Sequence, residues 1–127
     1  MGPLTRLSAL FRCIVFFACC AALPSTAQDV SNGTGGILRV LDKTASTTVD
    51  LSLAVGQTQQ VGAIAVALKE CRYPADNPTG DAFAFLEVSE DRLSQVLFSG
   101  WMIASAPALS ALEHHRYDVW VIRCTTS

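Results

Sequence analysis

The stretch TTVDLSLAV, residues 47–55, alternates apolar and polar side chains with a period of two. Val49, Leu51, Leu53 and Val55 fall on one face, Asp50 and Ser52 on the other, and Gly56 ends the run. Successive side chains of an extended chain point to opposite faces, so the pattern predicts a half-buried β-strand.

Working outward, similar runs recur at short spacing between turn signals. GILRVLD (36–42) precedes it and stops at Lys43-Thr44; TQQVG (58–62) follows, short and weak, with a bulge expected at Gly62. AIAVALKEC (63–71) sets Ile64, Val66 and Leu68 on one face and Ala63, Ala65 and Ala67 on the other. AFAFLEV (82–88) and QVLFSGWMIA (95–104) flank a charged turn, SEDRLS. YDVWVIRC (117–124) is apolar on both faces and reads as a central strand, covered on both sides. One segment breaks the pattern: in SAPALSALEHH (105–115), Pro107 in a first turn and Leu109 and Leu112 three apart predict a short helix. The fold class is therefore all-β, a small antiparallel sandwich or barrel of six to seven strands with one short helix near the C-terminus.

The leader separates from this domain by composition. Arg6 and Arg12 are its only charges, Cys13–Leu23 is an unbroken apolar run, and Ser25-Thr26-Ala27 puts small residues where a signal peptidase cuts. That is the layout of a secretory signal peptide at 1–27, and its apolar run falls well short of the roughly 20 residues a membrane-spanning helix needs. Phe16-Phe17-Ala18 ahead of Cys19 is a poor lipobox. Residues 28–35, QDVSNGTG, are polar and glycine-rich and read as a flexible linker; 36–127 reads as a single β-rich domain. The expected location is the periplasm. Cleavage after Ala27 removes two of the nine basic residues and none of the eleven acidic ones, leaving a mildly acidic domain with no basic cluster. Such a surface argues against nucleic acid and anionic membranes as partners.

Cleavage also removes Cys13, Cys19 and Cys20, leaving Cys71 and Cys124. An even pair in a small domain of an oxidising compartment predicts a disulfide. A zinc pair would need two further ligands at suitable spacing, and no CxxC is present.

Three blocks carry a resemblance: GGILRVLDK, ECRYPADNPTGDAFAFLEV and FSGWMIASAPALSALEHHRYDVWVIRC. Together they resemble a family of small exported alphaproteobacterial proteins with a domain of unknown function. The resemblance spans roughly residues 35–127 and implies a periplasmic or envelope location and one domain. It implies no activity, so no functional residue is carried over. The resemblance further implies a gene neighbourhood near one for an accessory subunit of respiratory complex I, which admits a membrane complex as partner but is neighbourhood and not mechanism.

The polar loop CRYPADNPTGD (71–81) is the main candidate for function. Asp76, Asn77, Thr79 and Asp81 supply four oxygen-bearing side chains, but their spacing, with Pro78 among them and Gly80 one place early, misses that of a calcium loop. Turn chemistry accounts for the same residues. Ser99, Ser105, Ser110, His114, His115 and Asp118 supply the residue types of a catalytic triad without a G-x-S-x-G elbow. No metal or cofactor is expected. Cys71 at the loop's head would tie it to the last strand, and Trp101, expected near the rim, would lie beside it. Tyr73, Asp76, Asn77, Asp81 and Trp101 thus form the candidate binding site of a non-enzymatic domain that takes a protein or envelope partner. The alternative is a small exported hydrolase using an acid pair drawn from Asp76, Asp81 and Glu87.

Overall fold

The computed structural model describes residues 29–90, 92 and 94–126. The expected signal peptide at 1–27 lies outside the described residues. Among these, eight strands form two antiparallel sheets: β1 (Val30–Asn32), β2 (Gly35–Asp42), β3 (Thr47–Ala54), β4 (Thr58–Val61), β5 (Ile64–Pro74), β6 (Phe83–Glu90), β7 (Gln95–Ile103) and β8 (Tyr117–Thr125). One sheet has the order β3-β2-β8. The other runs β1-β5-β6-β7, with β4 also on β5. β5 is long enough to share one edge: Ile64–Ala67 pair with β4, and Arg72–Pro74 with β1. The inner faces of the two sheets close on one core, with Leu38, Leu53, Ile64, Leu68, Leu86 and Met102 among its buried members. Each such aliphatic side chain contributes about 1.5–3 kcal/mol by leaving water. No helix among the described residues is long and apolar enough to cross a membrane.

The β-rich antiparallel expectation holds, with four local corrections. Within the stretch expected to be a linker, Val30–Asn32 pair with β5 in register with Arg72–Pro74. No helix forms over 105–115, only a 3-10 turn at Pro107–Leu109 whose next residue, Ser110, is already extended. A short helix needs a buried face to hold it. Here Leu112 enters the core while Leu109 stays 76% exposed, so the two leucines share no face. In β3 only Leu51 and Leu53 are buried; Val49, and Val55 just past the strand's end, are 45% and 41% exposed. Finally, β8 is not central: it pairs with β2 alone and forms an edge.

Two β-bulges set the positions that matter. In β5 the register steps from Leu68 opposite Leu86 to Glu70 opposite Phe85, leaving Lys69 as the extra residue. In β8 it steps from Val121 opposite Leu38 to Arg123 opposite Ile37, leaving Ile122 extra. An extra residue reverses the alternation beyond it. Cys71 and Cys124, each three residues past a core residue, are thereby turned inward and join across the sandwich, Cα to Cα 5.7 Å. Gly36 makes room for the bond: a Cβ there would lie 3.3 Å from the Cys71 sulfur.

At the other end of the same strand pair, Gly62 sits at φ +55° in the tight turn joining β4 to β5. A Cβ there would run into the Tyr117 hydroxyl. That hydroxyl accepts the Ala63 N–H at 3.1 Å, and Tyr117 is buried. β5 and β8 are thus joined across the sandwich at both ends.

Candidate functional site

The bulge at Lys69 has a second effect. Beyond it, Glu70 and Arg72 point away from the core, onto the outer face of the five-stranded sheet. On β6, burial of Ala84 and Leu86 leaves Phe83 and Phe85 on that same outer face, and on β7 burial of Met102 leaves Trp101 and Ile103 there. Register then assembles rows: Asn32, Arg72, Phe83 and Ile103 lie across the sheet, with Glu70, Phe85 and Trp101 beside them.

The side chains interlock. Phe85 and Trp101 meet edge to face, centroids 5.4 Å apart and planes at 82°. The Arg72 guanidinium lies 4.9 Å from the centre of the Trp101 ring. Aromatic pairs of this geometry contribute about 0.5–1.5 kcal/mol beyond burial, and a cation over Trp about 0.5–2 kcal/mol. Arg72 Nη2 reaches Glu70 Oε1 at 3.4 Å, whereas its Nε is buried with no hydrogen-bond partner. Val30, Arg72, Phe83, Trp101 and Ile103 line an open groove of about 310 Å³. An apolar floor with a single cation can hold the apolar body of a ligand and orient an acceptor group.

The residues singled out in the sequence divide. Trp101 is in this groove, on the outer face of β7 and not at the expected rim. Tyr73 points the other way and packs against the core. The expected loop is shorter, because β5 runs on to Pro74 and leaves residues 75–82 as the connection. Asp76 takes a positive φ of 66° at its exposed tip, and turn bonds run from Asn77 N–H to Pro74 O and from Gly80 N–H to Asn77 O. Asp81 faces inward along the chain: its carboxylate accepts from the Ala82 N–H, the Ser105 N–H and, at 2.6 Å, the Ser105 hydroxyl. Burial pushes its pKa up, but these hydrogen bonds, Ser105 Oγ first, outweigh it and hold the group below the ordinary carboxylate range. Asp81 anchors the loop to the segment after β7 and stays ionised, the wrong state for a general acid.

Of the triad residue types, Ser105, His114 and Asp118 are likewise engaged elsewhere. Ser105 is held by Asp81. His114 Nδ1 accepts the N–H groups of Arg116 and Tyr117, so the neutral ring carries its proton on Nε2, 3.7 Å from Glu90. Asp118 faces Lys43 at 3.3 Å. With no helix here, the two histidines do not complement a helix end; their rings stack 4.4 Å apart.

Sequence reasoning missed Arg72, Phe83, Phe85, Ile103 and Val30 as parts of a surface. The signal for Arg72 was the doublet Lys69-Glu70, two polar residues in succession after the regular Ile64-Val66-Leu68 alternation, which is what a bulge looks like in sequence.

Among known proteins, the chain is similar to the uncharacterized protein RP359 of Rickettsia prowazekii (strain Madrid E), 27% identical over 99 residues. That match covers 76% of this chain and 64% of the relative, so the chain spans somewhat less than two thirds of the relative's length. No solved structure matches the chain. Residues 36–124 match the family described as "Uncharacterized protein conserved in bacteria (DUF2155)", a span that takes in both cysteines and all of the groove except Val30, and the chain belongs to that family.

Proposed function

We propose that this chain is a non-enzymatic binding domain, exported to the periplasm, which engages a protein or envelope partner through the outer face of its five-stranded sheet. The observation that carries the reading is the partly exposed Phe85–Trp101 pair, with the Arg72 guanidinium over the Trp101 ring. Interface hot spots are enriched in Trp and Arg, and a rigid aromatic floor costs little entropy to present. The cross-sheet disulfide fits an oxidising compartment, and the leader composition fits export.

A photo-crosslinking residue placed at Ser99, beside the groove, should capture a discrete partner in the native host, while one at Thr48 on β3 should not. Trp101→Ala should then weaken capture by about tenfold or more, the ordinary loss at a hot spot. Asp76→Ala at the loop tip should change it less than twofold. Equal capture from both positions, or capture indifferent to Trp101, would overturn the sheet-face reading. Export is checked separately: the exported protein should begin at Gln28, and an intact Met1 would contradict cleavage.

A further inference from the structure

β8 is placed at odds with its sequence. Tyr117, Val119 and Val121 point into the core, while Trp120 and Ile122 add apolar surface on the opposite face. Such a strand belongs inside a sheet, yet β8 pairs with β2 alone. The Lys43 N–H donates to the Arg116 carbonyl, so the register makes Asp118 and Trp120 the residues bonded to β2. It turns the backbone groups of Tyr117, Val119 and Val121 to the opposite edge, where His114 Nδ1 accepts the Tyr117 N–H.

Other strands show how this fold guards an edge. β7 is broken by a register shift that leaves Leu97 as the extra residue. β3 carries Asp50, paired with Arg39 at 2.7 Å. The fourth boundary is split between the short strands β4 and β1. Bulges, charges and short edge strands are the ordinary protections against further pairing. On β8 the bulge comes only at Ile122, so Tyr117–Val121 is regular, and its length is that of an average strand.

Beside this edge lies a groove of about 340 Å³. The edge residues Asp118–Trp120 form one side. Pro107, Ala108, Ala111 and Leu112, from the connection that failed to become a helix, form the other. Leu112 is anchored in the core, and Ala108 and Ala111 are exposed, so the wall is held in place but does not fill the space. No side chain of that wall offers a hydrogen bond. On the strand side the Asp118 carboxylate is paired with Lys43 at 3.3 Å, and the regular polar complement is the strand's own backbone, with the repeat of a β-ladder, which an extended chain matches.

We infer that the free edge of β8 is a docking edge for an extended, apolar peptide segment of a partner protein, which adds to the β3-β2-β8 sheet as a fourth strand. Its backbone pairs with the outward groups of Val119 and Val121, and its small or aliphatic side chains on one face lie against Ala108 and Ala111. This surface is separate from the Trp101 groove, and the inference stands or falls without it.

The test is selection of a phage-displayed random 12-residue peptide library on the full exported, disulfide-bonded protein, followed by synthesis of the strongest binder. In complex with that peptide, the amides of Val119 and Val121 should gain protection from hydrogen exchange. N-methylation of one central peptide amide should weaken binding about tenfold, the loss of one interface hydrogen bond. Ala111→Arg, which fills the groove from an exposed position, should weaken it by at least as much without shifting Tm, whereas Thr48→Arg on the β3 edge should change it less than twofold. Recovery of no peptide, protection confined to another surface, or indifference to N-methylation would each overturn the inference. The N-methyl comparison uses the unmodified protein, so a misfolded Ala111→Arg variant would not rescue it.

Discussion

β5 and β8 face each other across the sandwich and are tied at both ends, but by different chemistry. At one end Cys71 and Cys124 form a covalent bond; at the other the Tyr117 hydroxyl accepts the Ala63 N–H over a glycine that leaves it room. The covalent tie depends on two bulges to turn the cysteines inward, so it is sensitive to register. The polar tie depends on a backbone conformation, Gly62 at positive φ, and on the absence of one carbon atom. A pair of strands held at both ends cannot slide or shear, which keeps Arg72, one residue past Cys71, in place over Trp101.

The largest effect should come from the covalent end. Replacing both cysteines with alanine should lower stability by about 2–5 kcal/mol in a denaturant titration. The oxidised protein, unfolded without reductant, should show no reactive thiol. A double variant as stable as the parent would mean that the disulfide follows the fold and does not reinforce it.

At the other end, Gly62→Ala combines an unfavourable φ with a collision at the Tyr117 hydroxyl and should cost roughly 2–3 kcal/mol. Tyr117→Phe is the sharper probe, because it removes only the acceptor. It should cost about 1 kcal/mol, and the Ala63 amide should lose protection from hydrogen exchange. If Gly62→Ala proves harmless, the hydroxyl tie is looser than the covalent one in geometry as well as in strength.

The smallest effect is set by pH. Asp42 is held below the ordinary carboxylate range by Arg116, then by the amides of Ala45 and Thr44, against an opposing effect of burial. Asp81 is held low by Ser105 and Ala82 although burial pushes it up. A carboxylate whose folded pKa is depressed adds stability that is fully present above its unfolded value of about 3.9. That stability is lost as pH falls through the folded value. Tm should therefore be flat from neutral down to about pH 5 and should fall below about pH 4. Asp81→Asn should flatten the acid limb more than Asp50→Asn, since Asp50 pairs with Arg39 on an open surface.

How much of this was legible in the sequence depends on whether the residue's role followed from local alternation. The inward sets Leu51-Leu53 and Ile64-Val66-Leu68 were, because period-two patterning and burial agree there. The cysteine pair was, by counting. Counting could not say that each cysteine needs a bulge to reach the core, and strict alternation would group Cys124 with Trp120. The helix at 105–115 failed because two leucines three apart say nothing about whether a surface exists to receive both. β8 read as central because its composition is that of a central strand; its place at an edge is a fact of topology. The loop residues Asp76 and Asp81 looked alike in sequence, yet one is an exposed turn residue and the other a buttress for Ser105. The Arg72–Trp101 stack lay between strands whose register only the fold defines.

The pairing of β2 with β8 joins Gly35 to Thr125, nearly the full span of the domain. Until the last strand arrives, the three-stranded sheet is a lone β2–β3 hairpin, a unit of marginal stability by itself. Closing so long a loop before any of its contacts form is slow, so the domain should fold late and in one step, on the scale of milliseconds to seconds. A nascent chain would therefore lack the completed three-stranded sheet, with Cys71 still a free thiol, until residue 124 is available to meet it.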